Sequence, residues 1–255
     1  LRNQLRKLNR FEFGGVEQEF SSANIERAID DLDEPLTDGL IKTSEKIYDN
    51  LILGKSYEER LSDGAKKSFS LKYIDWETIS NNEFHVTEEF TIEKTDNTKR
   101  RPDIVLFING IPFAVIECKK AAISVKEGIS QMIRNQGEKE IPNYFKFVQI
   151  VMSMNKNEAK YATVGTPEKF WAVWHEENIA IMKEDLEEYI KDRIITEQDK
   201  ALYSLLSLDR VMNLLSGFII YDKNVKKITR YQQYYSIMET IKRIKSFENE
   251  GNTGK

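Results

Sequence analysis

The sequence predicts an α/β protein, a mixed sheet with helices on its faces. Three observations carry that reading. Residues 104–108 and 111–118 are apolar runs joined by Asn109-Gly110, the pattern of a β-hairpin. Directly after them, Ser124 and Glu127 stand at capping-box spacing ahead of an apolar stripe of Ile129, Met132 and Ile133, which predicts a helix. Further on, 145–152 reads as a buried strand and 159–164 as another, with a turn at Asn155-Lys156-Asn157.

The remaining elements follow in order. Residues 1–40 read as an acidic helical segment, with Ile25, Ala28, Ile29 and Leu32 at helical spacing. Pro35 and the cluster Thr37-Asp38-Gly39 interrupt it. Residues 43–53 form a second helix, ended by Gly54. Alternation predicts strands at 69–74 and 84–93. The aromatic run 170–174 closes the central unit, 41–178, as core rather than as a binding platform. From 179 to 255 the chain reads as a connector: a charged helix at 183–192, an amphipathic helix at 201–215, a short strand at 218–221 and a helix to about 247.

Chemistry concentrates on the hairpin. Asp103 opens its first strand, and Glu117 and Lys119 end its second. Two carboxylates and a lysine meeting there can hold a hard cation and position a water beside it. The same charges would also suit the solvated end of an ordinary hairpin. Glu117 and Lys119 share a face because they are two apart. Whether Asp103 joins them depends on register. A two-residue turn with an unbroken ladder puts Asp103 opposite Ile116, on the wrong face. A three-residue bulged turn pairs Ile108 with Pro112 and brings Asp103 opposite Glu117. The bulged turn is the expectation; an irregularity further down the ladder would serve equally.

Pro102-Asp103, then Glu117-Cys118-Lys119 across an apolar hairpin, resembles the PD-(D/E)xK nuclease motif. The longer order of blocks is similar to the R (restriction) subunit of type I restriction-modification enzymes, over roughly residues 40–245. The blocks are Asn82-Glu83-Phe84 leading to Thr87-Glu88-Glu89-Phe90-Thr91-Ile92, the run from Arg101 to Phe107, Gly128-Ile129-Ser130-Gln131, and Ile141-Pro142 through Ser153.

The resemblance implies a restriction-endonuclease-like mixed sheet flanked by helices, with helical connecting segments before and after. It implies Mg²⁺ as cofactor, ligated by Asp103, Glu117 and the Cys118 backbone carbonyl. Lys119 would orient the attacking water and stabilise charge on the scissile phosphate. Gln131 matches the glutamine of the family's Gln-x-x-x-Tyr motif, but Asn135 stands at the tyrosine position. Upstream acids that could complete such a site are Glu45, Glu17 and Glu19, each more commonly a surface charge. The implied substrate is double-stranded DNA, and the implied partners are methylation (M) and specificity (S) subunits. Other PD-(D/E)xK nucleases, or a degenerate nuclease fold used for docking, are the alternatives.

Composition is compatible with this. Net charge is −4, which argues against tight autonomous DNA binding. Basic residues nevertheless cluster at 99–101, at Lys119-Lys120 and at 223–227. One cysteine excludes an internal disulfide framework. No membrane span or secretory signal is legible, so the cytoplasm is the expected compartment.

The block Arg230-Tyr231-Gln232-Gln233-Tyr234-Tyr235 is similar to the segment just ahead of the motor's phosphate-binding loop in that family. Gln232 or Gln233 would then read adenine, since an amide can donate to and accept from its edge. No G-x-x-x-x-G-K-[ST] occurs, and Gly251-Asn252-Thr253-Gly254-Lys255 has the wrong spacing. The chain is therefore expected not to hydrolyse ATP. ATP is the expected cofactor of a longer protein that continues into a motor.

Overall fold

The computed structural model describes residues 1–94 and 96–251. The first forty residues are not wholly helical. Helix α1 (Arg2–Leu8) is followed by a hairpin, β1 (Arg10–Phe13) and β2 (Val16–Glu19), before α2 (Ser22–Asp30). Adjacent Gly14 and Gly15, with φ of 62° and 76°, allow the tight reversal that a helical reading misses. Helix α3 (Leu40–Leu53) ends at Gly54, as its sequence signals. A second hairpin follows, β3 (Lys55–Arg60) with β4 (Lys66–Leu71). The expected strand 84–93 divides into β5 (Phe84–Glu88) and β6 (Ile92–Glu93), and β6 pairs with β7 (Lys99–Arg100).

The two apolar runs form β8 (Ile104–Ile108) and β9 (Ile111–Cys118), and the predicted helix is α4 (Val125–Asn135). Its N-terminus is capped by the Ser124 hydroxyl, which accepts from the Lys126 N–H at 3.3 Å, while Glu127 stays exposed. The expected strand at 145–152 begins late. Pro142 starts a turn of helix, α5 (Pro142–Phe145), and β10 spans only Ile150–Met154. Then come β11 (Ala159–Ala162), α6 (Ile179–Tyr189), α7 (Glu197–Leu206) and α8 (Leu208–Gly217). The single helix expected at 201–215 is thus two, broken where Ser207 turns extended (ψ 139°) and starts the second. A hairpin of β12 (Ile219–Asp222) and β13 (Val225–Ile228) leads to α9 (Tyr231–Gly251).

The central sheet has five strands in the order β11-β10-β9-β8-β5. The β9–β10 pair is parallel and the other pairs are antiparallel. Helix α4 makes the crossover that a parallel pair requires. Both faces of the sheet are covered. Ala114, Ile116, Ile150 and Met152 point into one apolar cluster, and Val115 and Val151 into another with Ile129 and Met132 of α4. The period of two therefore turns Glu117, two beyond Val115, toward α4.

The turn between β8 and β9 corrects the expected geometry. It is a two-residue turn pairing Ile108 with Ile111, and Asn109 and Gly110 have φ of 55° and 85°, the double positive φ of a type I′ turn. The irregularity lies further down the ladder. Phe107 pairs with Pro112 but Leu106 pairs with Ala114, so Phe113 is the extra residue. Pro112 has no N–H to give the ladder, and the Phe113 carbonyl is taken by the Gln149 N–H at 2.8 Å.

Candidate active site

The shift at Phe113 is what assembles the site. Below it Val105 pairs with Val115 and Ile104 with Ile116, so the next position sets Asp103 opposite Glu117. The two strands are also tied there directly: the Cys118 N–H donates to Asp103 Oδ2 at 2.6 Å. On the other side of β9, Glu117 lies beside Ser153 of β10, and the Lys119 N–H continues the ladder to the Met154 carbonyl at 2.8 Å.

Lys119 Nζ donates to Glu117 Oε1 at 2.7 Å and to Gln131 Oε1 at 3.0 Å. The lysine side chain is 18% exposed and that of Glu117 only 3%. Removal of Glu117 from water raises its carboxyl above the usual range. The nearby charge of Asp103 adds to this, against hydrogen bonds from Lys119 and Gln131. The exposed Cys118 does not offer a thiolate. Desolvation of its sulfur and the flanking carboxylates push the thiol up to about 11.

Helix α4 presents a different face from the one expected. Ile133 is 37% exposed, while Gly128, Ile129, Met132 and Asn135 are buried. Gly128 explains the rotation. A Cβ there would fall 2.2 Å from Ser153 Oγ and 3.3 Å from both Glu117 Cγ and Lys119 Cε. Its missing side chain lets the helix lie close over the site and brings Gln131, one turn on, within reach of Lys119. Ser153 fixes the start of the same helix, donating to the Val125 carbonyl at 2.8 Å. Neither Ser153 nor the closeness at Gly128 was legible beforehand; a serine inside the run 150–154 was the available hint. Asn135 is buried with its Oδ1 unpartnered.

Among the described residues, no group of three or more His, Cys, Asp or Glu side chains could hold a metal. Asp103, Glu117 and the Cys118 carbonyl are oxygen donors from two side chains and the backbone. That set suits Mg²⁺, which keeps several waters and needs only one or two carboxylates. The upstream acids do not complete it. Glu17 and Glu19 both pair with Arg10, and Glu45 is near enough to Tyr221, on β12, for its charge to act on that phenol.

Gln232 and Gln233 lie elsewhere, at the start of α9. Gln233 Oε1 accepts from the Arg230 N–H at 2.9 Å and so caps the helix, while Gln232 is exposed. A groove of about 760 Å³ opens beside them, lined by Phe170, Ile220, Arg230, Gln233 and Ile237 among others.

A family profile described as the type I restriction enzyme R protein N terminus matches residues 1–170. A Methanocaldococcus jannaschii protein, named MjaIXP endonuclease subunit of a type I restriction enzyme, is 32% identical over 216 residues, covering 78% of this chain and 20% of its own. The HindI endonuclease subunit of Haemophilus influenzae is 24% identical over 230 residues, 82% of this chain and 21% of its own. The EcoprrI endonuclease subunit of Escherichia coli is 26% identical over 163 residues, 63% of this chain and 47% of its own. The chain thus spans about a fifth of the first two relatives.

Proposed function

The chain belongs to the type I restriction enzyme R protein family, as its N-terminal region, and from that premise we propose that it carries the nuclease of an ATP-dependent restriction enzyme. The reaction is Mg²⁺-dependent hydrolysis of phosphodiesters in double-stranded DNA, on a PD-(D/E)xK endonuclease-like fold. The supporting observation is the ladder shift at Phe113 that sets Asp103 against Glu117, with Lys119 Nζ 2.7 Å from that carboxylate. Mg²⁺ held by Asp103, Glu117 and the Cys118 carbonyl would offset phosphate charge and acidify a bound water. Lys119 orients that water and meets the charge that builds on the phosphate. Gln131 holds the ammonium in place from α4.

The whole protein acts in the cytoplasm with M and S subunits, and its motor uses ATP. Gln232 or Gln233 reads the adenine beside the groove at the start of α9. The test is Lys119→Ala in the full-length subunit assembled with its partners, with cleavage and DNA-stimulated ATP hydrolysis followed together. The expected result is loss of cleavage by at least about a hundredfold with ATP hydrolysis intact. Cleavage retained would remove the nuclease from this hairpin.

A further inference from the structure

Resting on that nuclease reading, we propose that Lys99 and Arg101 form a phosphate track leading to Asp103, binding the backbone of duplex DNA beside the phosphate to be cut. The run Lys99-Arg100-Arg101-Pro102-Asp103 alternates in burial. Lys99 and Arg101 are exposed, Arg100 is partly covered and Pro102 is buried. Lys99 lies on the exposed side of β7 and Arg101 follows it on the same exposed side, before the chain bends at Asp103 and enters β8. Two residues apart in near-extended chain, Lys99 and Arg101 stand roughly 6.6 Å from each other, comparable with the step between phosphates of one DNA strand.

The middle cation is spent differently. Arg100 pairs with Glu140 at 2.6 Å, and Lys94 reaches the same carboxylate at 3.6 Å. That brace fixes β6 and β7 to the segment after α4, the helix that carries Gln131. It leaves the two flanking cations outward. Lys99 makes no ion pair among the described residues, although Glu93 stands across from it in register. Arg101 meets Glu89 at 3.4 Å, with the two side chains 60% and 66% exposed. A pair that open to water contributes little and yields readily to a phosphate. In a chain of net charge −4, attraction for DNA has to be local, and with Lys119 engaged by Glu117 and Gln131 these two exposed cations stand only four and two residues before Asp103.

The test uses the 255-residue chain carrying Glu117→Gln, so that nothing is cut. Binding of a short fluorescent duplex is followed by anisotropy as KCl rises. Lys99→Ala and Arg101→Ala should each make the slope of log affinity against log salt shallower by about one, and the double variant by about two. Glu89→Gln, which frees Arg101, should raise affinity about two- to fivefold. Lys183→Ala, on exposed α6, should leave the slope unchanged. An unchanged slope in the double variant overturns the track. So does an equal effect from Lys183→Ala, or a parent that does not bind the duplex at low salt. Mn²⁺ binding to the unsubstituted chain, lost with Glu117→Gln, reports separately on the nuclease site. The track can thus fail while that site stands, and the reverse.

Discussion

Lys119 and Lys226 show how differently one residue type can be used. Lys119 has a carboxylate partner at 2.7 Å. Lys226 is buried and, among the described residues, donates only to Ser44 Oγ at 3.1 Å and to the Val148 carbonyl at 2.9 Å. Desolvation with no compensating anion drives its pKa well below 10.5. The unfolded chain therefore binds a proton that the folded chain refuses, between the depressed value and 10.5. Over that window stability rises with pH, by at most about 1.4 kcal/mol per unit. Lys226→Met should abolish that part of the slope, measured by urea unfolding from neutral to alkaline pH. Equal slopes in both proteins would show that Lys226 is charged when folded. Legibility at this scale follows pattern. Asp103, Glu117 and Lys119 stand out because charge interrupts an apolar run. Lys226 and Ser153 do not, since a lysine in a basic cluster or a serine in a strand carries no mark of burial.

At the scale of elements, the hairpin was legible but its turn was not read correctly. Asn-Gly is the strongest local signal for a two-residue turn, and it holds here because the register shift that sets Asp103 opposite Glu117 is made further down the ladder. The useful clue was Pro112, which cannot give the ladder a hydrogen bond and so marks where register can slip. Of the hairpins β1–β2, β3–β4 and β12–β13, the expected strands at 69–74 and 218–221 meet β4 and β12, while β1, β2, β3 and β13 are not legible because short charged strands show little alternation. Asn109 is the anchor of the β8–β9 turn. Its side chain accepts from the Glu83 N–H at 2.8 Å and donates to the Tyr73 carbonyl at 2.9 Å and to Asn82 Oδ1 at 2.8 Å. Asn109→Ala strands those groups in a buried place and should cost about 2–4 kcal/mol. Asn109→Asp, which keeps an acceptor but loses both donors, should be destabilised as well. A urea midpoint unchanged in Asn109→Ala would mean that water replaces the amide and that the turn holds by backbone geometry alone.

At the scale of the molecule, the segments expected at 1–40, 41–178 and 179–255 share packing. One apolar cluster joins Leu5 and Ile25 to Ile116 and Met152 of the sheet and to Leu214 and Tyr234. Such continuity is not legible from local patterns, because a helix's apolar stripe does not say which neighbour it covers. The link to the last segment is sharpened by a polar clasp. Arg210 of α8 lies over the rings of Trp174, Tyr234 and Tyr235, at 5.3, 4.8 and 5.2 Å. It pairs with Glu176 at 3.3 Å, and the Tyr235 hydroxyl donates to the same carboxylate at 2.5 Å. Desolvation opposes ionisation of Glu176, but the bonds from Tyr235 and Arg210 outweigh it and hold its carboxyl below the usual range. Removing one partner of such a covered pair leaves the other charge unpaired, so Arg210→Met should cost about 3–5 kcal/mol. Adding Glu176→Gln should recover most of that loss, since the aromatic rings can pack on the methionine and no buried charge remains. Urea unfolding of the two single variants and the double variant measures the coupling. If Arg210→Met lies within about 0.5 kcal/mol of the parent, the clasp is a solvated surface pair and the apolar cluster alone joins α8 and α9 to the sheet.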